Sequence, residues 1–100
     1  MLKKIIKFGA SWCAPCKALA PIIEEISQDE RFKEIEFSEI DIDNDEDLLT
    51  EKYGIRNIPT LIMLNEEGEV MKRLVGMLPK EKIEQEILEL MTVKTEEEKE

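Results

Sequence analysis

Gly9-Ala10-Ser11-Trp12-Cys13-Ala14-Pro15-Cys16-Lys17 joins two different hydrophobic patterns. Upstream, residues 2–8 contain the β-branched Ile5 and Ile6 and the aromatic Phe8, a composition that favours a strand. Downstream, Leu19, Ile22, Ile23 and Ile26 recur at helical spacing, and Pro15 suits a first helical turn. The junction therefore predicts a strand, a loop over Gly9–Trp12, and a helix beginning at Cys13. Pro21 lies inside the helical pattern and is expected to kink it.

Two cysteines three residues apart at a helix start share one side of the first turn, close enough to form a disulfide. Cys13 sits where unpaired backbone N–H groups and the helix dipole favour negative charge. That favours thiolate, the form that attacks disulfides. Cys16, one turn in and expected to be more buried, would attack the resulting mixed disulfide and release the product. Cys13 is thus the expected nucleophile and Cys16 the resolving thiol. Lys17 adds a cation nearby, although a lysine there is commonly just solvated. A structural zinc site needs four ligands, and the chain has no histidine and only these two cysteines. A metal could be held only by bridging two chains, so no metal is expected. Two inert buried thiols are the other alternative.

Outward from this junction, residues 35–42 alternate imperfectly and read as a strand. A helix is expected from about Asp45 to Tyr53, with Asn44 and Asp45 as caps and Gly54 as the stop. Residues 60–65 and 69–75 read as strands joined through Glu66-Glu67-Gly68 as a hairpin. A last helix should start near Pro79 and present Ile83, Ile87, Leu90 and Met91 on one face. The order is β-α-β-α-β-β-α. The first two strands should be parallel through a right-handed crossover, and the hairpin antiparallel. Residues 1–91 form one expected α/β domain with helices on both faces. Residues 92–100, almost without apolar content, read as an acidic, frayed tail.

The 100 residues carry a net charge of −10, distributed unevenly. Residues 1–23 hold four lysines and no acid, whereas residues 24–51 hold thirteen acids against Arg31 and Lys33. An acidic surface repels nucleic acid and anionic lipid, which argues against both as partners. No apolar run approaches the roughly 20 residues needed to span a bilayer. The start, Met1 to Phe8, is interrupted by Lys7 and followed by no cleavage site, so it reads as a strand rather than a signal peptide. The expected compartment is the cytoplasm, where a cysteine pair is more often redox-active than structural.

At this point the chain resembles the thioredoxin family over roughly residues 4–91. The resemblance rests on Phe8, Ala10, Trp12-Cys13-Ala14-Pro15-Cys16-Lys17, Pro21, Ile42-Asp43, the segment Tyr53 to Thr60, Gly68 and Val75-Gly76. It implies a thioredoxin-like fold with a four-stranded mixed sheet flanked by helices. It also implies that Ile58–Pro59 is a cis peptide facing the disulfide, where a substrate backbone is added as a strand. Without the resemblance, Pro59 would simply begin a strand in trans. Trp12, Ala14, Pro15, Ile58, Pro59, Thr60, Val75, Gly76 and Met77 are the residues it implies for substrate contact, plain core packing being the alternative for Val75 and Met77.

Three departures accompany the resemblance. The family's usual N-terminal strand and helix have no counterpart, so strand 35–42 should lie at a sheet edge, protected by Glu34, Glu36, Glu39, Asp41 and Asp43. The position six before the first cysteine is usually a buried aspartate that assists proton transfer; here it is Lys7. Its usual lysine companion aligns with Glu39. Lys7 and Glu39 are therefore expected to face each other as a pair of inverted sign. One reading gives the pair a catalytic role in accepting the Cys16 proton through water, with the cation also favouring a Cys16 thiolate. The other lets Lys7 extend to solvent beside a thin sheet edge. Finally, Ala14 stands where glycine is commoner, which firms the first helical turn.

The expected activity is thiol–disulfide oxidoreduction: a protein disulfide reductant cycling between the Cys13/Cys16 dithiol and disulfide. Its implied partners are disulfide-containing proteins and a thioredoxin reductase-type electron donor, and its only redox group is the cysteine pair itself. The alternatives are a glutaredoxin-like protein served by glutathione and a redox-independent binding module.

Overall fold

In the computed structural model, which describes residues 1–92, the strand expected at the N-terminus is β1 (Leu2–Gly9). It is followed by α1 (Ala14–Ser27), β2 (Glu36–Asp41), a short α2 (Leu49–Lys52), β3 (Thr60–Asn65), β4 (Val70–Val75) and α3 (Lys80–Met91). Short 3₁₀ turns at Glu30–Phe32 and Ile42–Asn44 flank β2. The sheet order is β2-β1-β3-β4, with β1 and β2 parallel and the other neighbours antiparallel. The mixed four-stranded thioredoxin-like sheet is as expected, and β2 lies at an edge.

Burial explains the order. β1 and β3 occupy the centre and are apolar on both faces, as a doubly covered strand must be. On one face Ile5, Leu61 and Met63 pack with Leu19 and Ile26 of α1 and Ile83 and Ile87 of α3. Phe32, fully buried, closes that core from the 3₁₀ turn after α1. On the other face Ile6, Phe8, Ile62 and Leu64 form a smaller cluster, with Leu49, Tyr53 and Ile55 against it. The edge strands are more polar, with β2 carrying Glu36 and Glu39 on its exposed positions.

Two ion-pair groups fasten the periphery. Asp29 accepts from the backbone N–H and guanidinium of Arg31, which hold its carboxyl at about 2 rather than 3.8. Glu86 is nearly buried on α3 but is paired with Lys82 at 2.8 Å and Lys72 at 3.3 Å. The hydrogen bond from Lys82, then that from Lys72, lowers its pKa against the opposing effect of burial.

The 45–53 helix is the main correction. Only Leu49–Lys52 is helical, preceded by Leu48 at φ 57°. Asp45 does cap it, but from farther back: its carboxylate accepts from the backbone N–H groups of Leu49 and Thr50. Aspartates compete with helix by bonding nearby backbone N–H groups, and Asp41 does the same to Asp43. This acidic run therefore makes turns where the spacing predicted continuous helix. The 66–68 hairpin is as expected. Gly68 adopts φ 81°, and the Asn65 side chain accepts from the N–H groups of Glu67 and Glu69. The expected 92–100 tail lies, from residue 93 onward, outside the described residues.

Candidate active site

β1 ends at Gly9, and the chain turns through Ala10–Trp12 before α1 begins at Ala14. Cys13 is the N-cap, extended at φ −96° and ψ 109°. Its Sγ accepts from the Cys16 backbone N–H at 3.2 Å, so sulfur occupies the place a serine or aspartate oxygen would take at this helix end. Ala14 and Pro15 fill the first two helical positions, and Pro15 removes an N–H that would have no helical partner. α1 runs through Pro21 as one helix.

The two sulfurs are bonded, with Cα atoms 5.2 Å apart, within the ordinary range for a disulfide. Both cysteines are buried, at 5% and 3% exposure, so burial separates them less than expected. Direction separates them more. Cys13 Sγ lies 4.0 Å from the carbonyl oxygen of Ile58, in the segment whose Ile58–Pro59 bond is cis. Cys16 points back toward Gly9 and the β1–β2 seam.

The residues named for substrate contact differ in exposure. Trp12, Val75 and Met77 are exposed, at 66%, 49% and 45%, which removes plain core packing as the account of Val75 and Met77. Ala14 and Pro15 are exposed, and Ile58 and Gly76 half-buried. Pro59 and Thr60 are buried, and the Thr60 hydroxyl donates to the Asn57 carbonyl. The Gly76 N–H donates to the Pro59 carbonyl at 2.8 Å, tying the end of β4 to the cis segment. Gly76 has φ 96°, a backbone geometry that side-chain-bearing residues rarely adopt.

One residue beside the disulfide was read in the sequence as edge charge and as part of the Ile42-Asp43 motif, but not as a partner of Trp12. Asp43 accepts the Trp12 indole N–H at 2.7 Å and pins the ring beside the disulfide. Its place in the Ile42-Asp43 motif was the available signal. Behind Cys16, Lys7 and Glu39 face each other across the β1–β2 register, with Nζ–Oε2 at 2.9 Å. Lys7 is only 5% exposed, so it does not extend to solvent as the alternative reading had it. A cavity of about 430 Å³ lies beside it, lined among others by Gly9, Cys16, Glu39 and Asp41. Among the described residues, no group of three or more His, Cys, Asp or Glu side chains is placed to hold a metal ion.

A bonded sulfur pair at a helix mouth, with exposed apolar side chains nearby, has the chemistry of a centre for thiol–disulfide exchange. Comparison with known proteins places it more closely. The thioredoxin family model matches residues 2–89. Thioredoxin C-2 of Corynebacterium nephridii is 43% identical over 79 residues, covering 79% of this chain and 70% of that one. The Bacillus subtilis thioredoxin is 41% identical over 78 residues, covering 78% and 72%. Among solved structures, a thioredoxin from Malassezia sympodialis superposes with a TM-score of 0.76 at 29% identity, covering 86% of this chain and 72% of that one. The chain belongs to the thioredoxin family and is a thiol–disulfide oxidoreductase.

Proposed function

We propose that the chain is a general reductant of protein disulfides, with Cys13 as nucleophile and Cys16 as resolving thiol. In the reduced protein, the helix mouth that now donates the Cys16 N–H to Cys13 Sγ would stabilise a Cys13 thiolate. That single contact carries the assignment, because it couples the attacking atom to the helix end. The thiolate attacks a substrate disulfide and forms a mixed disulfide. Cys16 then attacks Cys13 Sγ, closes the internal disulfide and releases the substrate as a dithiol. The substrate strand lies over Ile58, Pro59 and Thr60, where main chain is the only group the buried Pro59 and Thr60 can offer. Trp12, Ala14, Pro15, Val75, Gly76 and Met77 supply an apolar rim tolerant of many sequences.

A thioredoxin reductase-type electron donor returns the electrons, and the cytoplasm is the compartment. The cysteine pair is the only redox group this cycle requires. Turnover with NADPH and a thioredoxin reductase, against turnover with glutathione, tests the donor. The equilibrium potential of the pair is expected near −270 mV, roughly the value typical of thioredoxin. A value near −120 mV, roughly that of a strong oxidant such as DsbA, would refute the reductant reading.

A further inference from the structure

Lys7 is an unusual neighbour for a resolving thiol: a cation with almost no solvent, on the central strand of the sheet. Burying a charge is costly unless it is paired. Glu39 provides the pairing from the edge strand, but Glu39 itself is 68% exposed. The two charges are therefore screened unequally, since water and salt weaken the field of the carboxylate far more than that of the ammonium. Gly9 sets the geometry. A methyl placed there would lie 3.2 Å from Cys16 Sγ and 4.0 Å from Lys7 Nζ, with no Glu39 atom as near. The sulfur and the ammonium thus flank one gap, kept open by the absence of a side chain.

Resting on the assignment of Cys16 as resolving thiol, we propose that Lys7 is a positioning residue that stabilises the Cys16 thiolate electrostatically, while its proton leaves through the cavity behind the disulfide. Cys16 S–H gives its proton to water in that cavity, which opens to solvent beside β2. The thiolate then attacks Cys13 Sγ. The Cys13–Cys16 bond forms as the Cys13–substrate bond breaks, and the departing substrate sulfur takes the electron pair and a solvent proton. Glu39 pairs with the ammonium but does not receive the proton, and the burial of Lys7 keeps its Nζ beside the gap whether or not Glu39 is charged.

The other charged groups facing the gap do not reverse this sign. Asp41 lines the cavity from β2, and Lys17 from α1. Glu24 of α1 reaches only the adjoining cavity of about 250 Å³, which Lys7 also lines. From β3, the residue in register with Lys7 is Leu61, which is uncharged.

The test is the rate of mixed-disulfide resolution as a function of pH, in Lys7→Met and Glu39→Gln. Without the ammonium the thiolate forms less readily, so the acid limb in Lys7→Met should move up by about one pH unit, a slowing of about tenfold at neutral pH. In Glu39→Gln the limb should stay or move down, since a carboxylate has been removed and the cation kept. A Lys7→Met profile that superimposes on wild type, or is slowed equally at every pH, overturns the proposal. So does a Glu39→Gln profile that matches Lys7→Met, because Glu39 would then be the proton acceptor. A measurement that keeps Lys7 guards against misfolding of the variants. In Cys13→Ala, the Cys16 thiol should titrate below about 8.5, its ordinary value, by ultraviolet absorbance; titration at or above that value overturns the proposal. Cys13 alkylation, read on the same lysine and glutamate variants, should be unchanged. Its loss would mean that the pair acts on Cys13 and would overturn the proposal, whereas wild-type Cys13 alkylating no faster than Cys16 would count against the nucleophile assignment itself.

Discussion

The two sides of the Cys13–Cys16 disulfide are built on different principles. In front, Trp12, Ile58, Pro59, Val75 and Gly76 offer apolar surface and main chain, held by backbone bonds such as Gly76 N–H to Pro59 carbonyl. Behind, Lys7 and Glu39 place a charge pair beside an open cavity. Substrate recognition, as proposed, asks for a surface indifferent to side-chain identity, which backbone and apolar contacts would supply. Resolution, as proposed, asks for control of one proton, which the charge of Lys7 would supply. The two sides share no side chain, so each can be probed by substitution without altering the other.

The comparison breaks most completely at the sulfurs themselves. Cys13→Ser should abolish reduction of a protein disulfide, measured with a reductase-coupled assay. Cys16→Ser should retain the first attack and accumulate mixed disulfides, visible by mass spectrometry as adducts at Cys13. Equal loss of both steps in the two variants would remove the division of labour between front and back.

A smaller effect is expected from the front's scaffold. Gly76→Ala has open space for its methyl but must hold φ 96°. The left-handed backbone should cost about 1–2 kcal/mol, read as a lowered urea midpoint with unchanged slope. At the back, stability should respond asymmetrically. Glu39→Gln leaves a buried ammonium without its partner, whereas Lys7→Met leaves only an exposed carboxylate. The urea midpoint should therefore fall further in Glu39→Gln than in Lys7→Met, and the reverse order would contradict the burial of Lys7.

The smallest expected effect lies on neither side and serves as a control. The Asp29 carboxyl is held at about 2, below 3.8, chiefly by the Arg31 side chain. A depressed acid stabilises the fold above its unfolded pKa and loses that contribution as pH falls through the folded one. The stability gap between wild type and Asp29→Asn should thus be full above pH 4 and close between about pH 4 and 2. A gap that persists unchanged at pH 2 would mean that the carboxylate's charge is not what Arg31 stabilises.

Much of this architecture was legible in the sequence because its signals were periodic. Ile5, Ile6 and Phe8 specify a strand by composition, Leu19, Ile22 and Ile26 a helix by spacing, and Gly68 marks the hairpin. The edge position of β2 followed from the family resemblance, with the usual N-terminal strand left without a counterpart. What resisted reading was aperiodic. Asp41, Asp43 and Asp45 each use a carboxylate on a nearby backbone group or a distant indole, and no spacing rule separates these choices from a solvated acidic run. The cysteine pair and its cis-proline partner were legible through motif. The gap at Gly9, bordered by Cys16 and Lys7, was not, because a space left by a missing side chain leaves no hydrophobic pattern.

Trp12 is the only tryptophan in the chain, and Asp43 fixes its indole one residue from the bonded sulfurs. The molecule therefore carries its own optical gauge. Opening the disulfide changes the ring's immediate surroundings while the Asp43 anchor holds it in place, so intrinsic fluorescence should follow the redox state in real time without an attached dye.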